Sequence, residues 1–305
     1  MKKHIQILTL LALTITVITS VISCDKVDAP YLEKSTTPVI TPSNTACDND
    51  GFVAANAVRK ILLIDFTGHK CGNCPQAHAA ATAVHNQYGN KVVTVAIHAT
   101  NTFAAPNGGG TKYLYDFRTA LGNDLDATFG LESIGLPQGW INKYDTAKFD
   151  DYSTWASQDV PAALNKPAEA FLIIKNEFNN STKTLNTTVN THVLSTITGN
   201  FKLCVWLIED SVINWQKDYS LPSGSQDIQL YNHKHPLRAS ITTATKGDAI
   251  ATTGGNITLK KDTCFSNAYA FTNFGATWDL TKLKVVAFIY NTQTKQVVQA
   301  EEKGW

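Results

Sequence analysis

The chain has 305 residues, 43% hydrophobic and 17% charged, which is enough for two modest domains with cores of their own. A formal net charge of +1 gives no basic surplus of the kind that recruits nucleic acid or an anionic surface, so nucleic acid is not an expected partner. No internal repeat and no sustained heptad runs through the sequence.

The first residues read as an address. Lys2 and Lys3 precede a mostly apolar run, Ile5 to Ile22, which ends in "VISC". This is the layout of a secretory signal over residues 1–23. Val-Ile-Ser-Cys resembles a lipobox, which makes Cys24 the acylated N-terminus and the membrane a partner through that anchor. A plain transmembrane anchor is the alternative, because the run approaches the spanning length of ~20 residues. Residues 24–55, punctuated by Pro30, Pro38 and Pro42, read as an extended, mobile tether.

Ile61 to Phe66 (ILLIDF) is a short apolar run and predicts a buried strand. "CPQAHAAATAVHNQY", Cys74 to Tyr88, predicts a helix, with Pro75 in its first turn and Gly89 as its cap. Lys91 to Ile97 (KVVTVAI) predicts a second buried strand, giving a βαβ unit with Cys71 and Cys74 at the strand-to-helix turn. Gly108 to Gly110 lacks the Lys-Ser/Thr of a phosphate-binding loop and reads as a flexible loop, and no cofactor is expected. Tyr113 to Phe129 reads as a helix, Gly139 to Asn142 as a strand after Pro137, and 149–165 as a closing helix with Pro161 as a possible break. After Pro167 the character changes to short β-rich segments between turn residues, which predicts a β-sandwich of about seven strands over 168–305.

Six cysteines in an exported chain bear on its chemistry. Cys204 lies in the strand-like "FKLCVWLI" and reads as a buried free thiol. A Cys47–Cys264 bridge is one open pairing. Cys71 and Cys74 allow three readings: a working dithiol, a metal clamp with His69, His78, His85 or His98, or an inert staple. Covalent c-type haem is excluded, because Pro75 occupies the place of the required histidine. Further on, "YNHKHPLR" puts His233 and His235 on one face if it is extended. It otherwise reads as a loop packed between the two domains, with Arg238 paired to a carboxylate.

A buried strand, Cys-x-x-Cys at a helix N-terminus and a proline before a later strand together resemble the thioredoxin-like superfamily. The resemblance implies an α/β thioredoxin-like domain over 56–167, followed by the all-β sandwich-like domain. It implies that Cys71 is the nucleophile, Cys74 the resolving cysteine, Pro137 a cis-proline facing the dithiol, and Asp65 a buried proton acceptor for Cys74. Lys70 stands where thioredoxins usually carry Trp, and Gly72-Asn73 where they carry Gly-Pro. "LLIDFTGHKCGNCPQAH", "YNHKHPLRA" and "VVAFIYNTQTKQVVQAEE" resemble the outer-membrane lipoproteins related to outer membrane protein twenty-eight. That family implies the cell outer membrane as the location, facing the periplasm or the cell surface, and envelope or surface proteins as partners. The function expected is thiol–disulfide exchange. A non-catalytic binding or adhesin-type lipoprotein on the same scaffold, or copper or zinc binding at the dithiol, are the alternatives. Lys70 and His69 are expected to add positive charge beside the pair.

Overall fold

Ile61–Thr67 forms β1, buried along its whole length at the centre of a three-stranded sheet. The structure is a computed structural model that describes Cys47 and residues 50–251 and 255–305, all within one compact unit, 35–305. The expected signal segment and the expected acylation site at Cys24 lie outside the described residues. Among the described residues no helix is long and apolar enough to cross a membrane.

Helix α1, Cys74–Tyr88, carries Pro75 in its first turn, where a missing N–H leaves no bond unmade, and ends at Gly89 with φ +57°. It leads to β2, Val92–His98, parallel to β1. Two short helices come next, α2, Asn101–Ala104, and α3, Ala120–Phe129. The helix expected over 113–129 is therefore only its second half. Tyr113 has φ +59°, outside the helical region, and the Thr119 side chain caps the Gly122 N–H, so the helix starts there. Leu131–Ile134 is the single turn α4, and Gln138–Ile141 is β3, antiparallel to β1. The closing helix expected over 149–165 is also shorter. A π-type turn, Trp155–Asp159, runs into α5, Val160–Leu164, whose first turn holds Pro161.

The remainder is strand. Ala170–Asn179 (β4), Thr184–Val193 (β5), Ile197–Gly199 (β6), Phe201–Glu209 (β7), Val212–Lys217 (β8) and Asp227–His233 (β9) come first. Leu237–Ser240 (β10), Asp248–Ala249 (β11), Ile257–Leu259 (β12), Cys264–Phe271 (β13), Leu283–Asn291 (β14) and Val297–Lys303 (β15) complete the chain. The central sheet runs β10-β7-β14-β15, with β11 on β7, and an outer sheet runs β13-β5-β4. The described chain is thus mostly strand with few helices, as the second half of the sequence predicts.

Period-two alternation stacks these sheets. On β1, Ile61 and Leu63 join Ala77, Ala81 and Val84 of α1, while Leu62, Ile64 and Phe66 turn to the other side. There they meet Cys204, Trp206 and Ile208 of β7 and Val286, Phe288 and Tyr290 of β14. Leu203, Val205, Leu207, Val285, Ala287 and Ile289, the intervening positions, pack against Ala170, Leu172, Leu185 and Val189 of the outer sheet. Strands β7 and β14 read as continuous apolar runs because both of their faces are buried. Cys204 is a buried free thiol within β7.

Main-chain bonds tie the first sheet to the β-rich half of the chain. The Ala96 N–H donates to the His235 carbonyl at 3.0 Å, and Ala96 bridges to Pro236. "YNHKHPLR" is therefore a connection packed on β2, not one extended face: β9 ends at His233, and His235 has φ +54°. Arg238 pairs with Glu209 at 2.8 Å.

The far end of the expected tether is fastened. Cys47 is bonded to Cys264, and Asp50 meets His192 at 2.6 Å and Asn190 at 2.9 Å. Phe52 stacks on His192 with ring centroids 3.9 Å apart. The expectation of a free tether to residue 55 fails for this stretch, because the disulfide and a buried carboxylate hold it on β5 and β13.

Candidate functional site

The dithiol turn grows out of the end of β1. A side chain at Gly68 would stand 2.7 Å from the Phe103 carbonyl oxygen, so only glycine lets the turn lie against α2. The Lys70 N–H donates to that same carbonyl at 3.0 Å, and the Cys71 N–H folds back to Gly68 O at 3.0 Å. Cys74 then opens α1. Cys71 and Cys74 are joined as a disulfide. The Cys71 sulfur lies 3.6 Å from the Leu136 carbonyl, and the Leu136–Pro137 peptide is cis. The cis Leu136–Pro137 peptide and the two cysteines therefore meet at one strand-to-helix turn, and Asp65 lies two residues before the end of β1.

The disulfide is covered. Cys71 is 2% exposed and Cys74 0%. The end of β8 and the turn after it cross over the pair. The Lys217 N–H donates to His69 O and the Tyr219 N–H to Gly72 O, both at 2.8 Å. Buried Gln216 sends its Nε2 to Cys71 O at 3.0 Å and to Gly68 O at 3.3 Å. A Cβ at Gly72 would strike the Tyr219 ring, which itself is 55% exposed. Sequence reading missed this cover, because it joins residues nearly 150 positions apart.

Under the first turns of α1 lies Asp65, on the face of β1 that carries Ile61 and Leu63. Burial pushes its carboxyl up to about 8. One turn after Cys74, His78 places Nε2 at 3.6 Å from Asp65 Oδ2 and 2.6 Å from Thr67 Oγ1. Its Nδ1 shares a 2.7 Å hydrogen bond with the Tyr231 hydroxyl. Burial lowers the His78 pKa to about 4, so at neutral pH the pair is a carboxylic acid beside a neutral imidazole, not an ion pair. With both ring nitrogens so engaged, His78 has none left for a metal in this arrangement. His69 is fully buried and bonds Ala105 O at 3.2 Å. Burial takes its pKa to about 4, so it adds no positive charge beside the dithiol, contrary to expectation. Lys70 and the N-terminus of α1 remain the local sources of positive potential. Elsewhere, Cys47, Asp50, His192 and Cys264 bring ligand-type atoms within 4.8 Å of one another, with the two sulfurs bonded together.

The buried titratable groups make stability depend on pH. Burial lowers His69 and His78 to about 4 and His233 to about 3, and lowers His98 well below its ordinary value. Below pH 6.5 the unfolded chain binds protons that the native state refuses. Stability is therefore lost as pH falls from about 6.5 towards 4, at about 1.4 kcal/mol per pH unit for each histidine. Asp65 acts in the opposite sense. Its native pKa exceeds the ordinary 3.8, so its contribution is complete below that value and is lost as pH rises through about 8. Urea midpoints should peak near pH 6.5, and Asp65→Asn should flatten the decline on the alkaline side. A wild-type curve flat from about pH 4.5 to 8.5 contradicts this assignment.

The model of the family described as Outer membrane protein Omp28 matches residues 123–304, beginning after the dithiol turn. No curated protein matches the chain. Among solved structures, a domain of the outer membrane lipoprotein Omp28 from Porphyromonas gingivalis matches with 16% identity and a TM-score of 0.30, over 45% of this chain and 88% of that one. The sporulation control protein Spo0M from Bacillus subtilis matches with 11% identity and a TM-score of 0.26, over 44% of this chain and 46% of that one. The family match takes in more than half of the sequence and most of its strands, and on that ground the chain belongs to the Omp28 family of outer membrane proteins.

Proposed function

We propose that the chain is a lipid-anchored thiol–disulfide exchange protein of the outer membrane, with Cys71 and Cys74 as its working dithiol. The observation that carries this reading is the Cys-x-x-Cys pair at the N-terminus of α1, with the Leu136–Pro137 peptide on Cys71 and the protonated Asp65 carboxyl beneath the helix. The β2-β1-β3 sheet and α1 support a thioredoxin-like reading of 56–167. The facing outer and central sheets support a sandwich over 168–305. Family membership gives the outer membrane as the location. The anchor at Cys24 rests on the signal-like residues 1–23, and envelope or surface proteins are the partners this location offers.

In this reading a partner thiolate attacks the Cys71 sulfur and Cys74 leaves, taking the proton held by Asp65. A second partner thiolate attacks the mixed disulfide and releases Cys71 as thiolate, completing a two-electron reduction of the pair. Run backwards, Asp65 accepts the Cys74 proton, and the Cys74 thiolate resolves the mixed disulfide. The helix N-terminus stabilises the Cys71 thiolate.

The low exposure of the pair favours a second reading, in which the disulfide is structural and the fold is a binding scaffold. The cover separates the two. Gln216→Ala removes two hydrogen bonds that hold β8 on the turn, each contributing about 1 kcal/mol. In the exchange reading it should speed reduction of Cys71–Cys74 by dithiothreitol about thirtyfold, followed by alkylation and peptide mass. A disulfide that resists reduction equally in wild type and Gln216→Ala favours the scaffold.

A further inference from the structure

The buried carboxyl has to exchange its proton with water once per turnover, and no solvent reaches it directly. Asp65 is 2% exposed, and its Oδ1 has no hydrogen-bond partner among the described residues. A polar chain leads away from its other oxygen. His78 Nε2 lies 3.6 Å from Oδ2, His78 Nδ1 meets the Tyr231 hydroxyl at 2.7 Å, and Tyr231 is half-buried on β9 between exposed Leu230 and Asn232. The Thr67 hydroxyl holds the imidazole from the β1 side at 2.6 Å. A ring shift of about 0.7 Å brings Nε2 to hydrogen-bond distance from the carboxyl.

We propose that His78 and Tyr231 are the path by which Asp65 gains and loses its proton during dithiol turnover. The proposal rests on the exchange reading above and adds two positioning residues to it. When the disulfide is reduced, Asp65 gives its proton to the Cys74 thiolate. His78 then donates from Nε2 to the carboxylate while it accepts at Nδ1 from Tyr231, whose hydroxyl takes a proton from water. When the dithiol is oxidised, each transfer reverses. No charge accumulates on the relay, because imidazole and phenol each accept a proton on one side as they release one on the other. Neutral resting forms suit that role: burial lowers the His78 pKa and raises that of Tyr231.

The groups facing this chain are few. His233 stands 6.5 Å from His78 and 5.0 Å from Tyr231, ring centre to ring centre, and His98 lies 5.2 Å from His233. Asp218 acts on both His78 and Tyr231, and His69 acts on His98 and His233 through space. Burial keeps the three neighbouring histidines neutral down to acid pH, so above about pH 5 the pH profile reports Asp65 and its path.

The test uses the full-length protein in detergent. The pair is first reduced with dithiothreitol, and its single-turnover oxidation by oxidised glutathione, for which Asp65 must first release its proton, is followed from pH 6 to 9 in wild type, Tyr231→Phe and His78→Gln. Tyr231→Phe removes only the hydroxyl and keeps the ring packing. The ratio of variant to wild-type rate cancels the titration of the attacking Cys71 thiol. Both variants are expected to be slower by about tenfold below pH 8 and to converge with wild type above it, the pH range of ordinary general acid–base effects. Added imidazole should restore His78→Gln, which a purely structural loss would not allow. Equal rates and profiles in all three proteins, with no response to imidazole, overturn the relay while leaving the exchange reading standing. A wild-type pair that dithiothreitol fails to reduce overturns both.

Discussion

Cys74→Ser is expected to stop turnover while leaving Cys71 able to capture an envelope partner as a stable mixed disulfide. Cys71→Ser should abolish capture and turnover together, each by about a thousandfold or more, as for loss of any nucleophile that acts within a unit. The asymmetry comes from the turn. Cys71 sits before the helix, with the Leu136 carbonyl on one side and the hydrogen-bonded segment Gln216 to Tyr219 above it. Cys74 is the first residue of α1, inside its first turn, whereas Cys71 precedes the helix, and in the exchange reading the incoming thiolate attacks Cys71. Purification of the two variants through an affinity tag, followed by non-reducing electrophoresis and mass identification, reads the outcome. Capture by Cys71→Ser instead would reverse the assigned order. Capture by neither, with activity unchanged in both, would remove the dithiol from the function.

Trp206→Ala is expected to destabilise the chain by about 3–5 kcal/mol, lowering the melting temperature by about 10 °C. Trp206 has no exposed surface and lies on the face of β7 turned towards the first sheet. Its ring is 4.7 Å from Phe288 and 5.5 Å from Tyr144, and Tyr144 reaches Trp140, which contacts Phe66 of β1 at 4.8 Å. This aromatic column joins the α1-bearing sheet to the central sheet. Removing one of its two tryptophans leaves a cavity that rigid strands on both sides cannot close. Because the column spans both halves, the variant should still unfold in one transition. A loss below about 1 kcal/mol, or a split into two transitions with the first sheet unaffected, would show that the halves are not mechanically joined here.

Local signals carried the front of the site. The β1–α1–β2 run was legible because each element has its own pattern: an unbroken apolar run, an Ala-rich stretch between Pro75 and Gly89, then a second run. The dithiol turn came out of that order. The buried thiol of Cys204 was legible because β7 is apolar at successive positions, and both faces of that strand proved to be covered. The features that escaped were non-local. Nothing within "VINWQKDYS" announces that Gln216, Lys217 and Tyr219 lie on the cysteine turn, since the partners are backbone carbonyls that any residue supplies. His78 gave a partial signal, one helical turn after Cys74, but its partner Tyr231 is 153 residues away. The helix start at Ala120 was missed because the left-handed conformation of Tyr113 is set by tertiary packing, not by residue type. The Cys47–Cys264 bond was one of the pairings the sequence left open, whereas the anchoring of Asp50 and Phe52 was missed because their surroundings have the composition of a linker and only contacts with His192 and Asn190 fasten them.

In the exchange reading, the cover also bears on how a dithiol would survive in an oxidising envelope without reacting at random. Two backbone bonds and two from Gln216 hold the strap, a few kcal/mol in sum. In that reading, a partner that pairs with the same backbone groups at His69 and Gly72 would replace those bonds as it displaces the strap. A small oxidant or thiol makes no such bonds.

The most direct measurement is the reduction potential of the Cys71–Cys74 pair, taken by equilibrating the protein in defined thiol buffers and counting alkylated cysteines by mass. A midpoint between roughly −270 and −120 mV is predicted, the range of proteins that exchange disulfides with others. A midpoint well below roughly −300 mV is that of a structural bond, and it would contradict the assignment of Cys71 and Cys74 as a working dithiol.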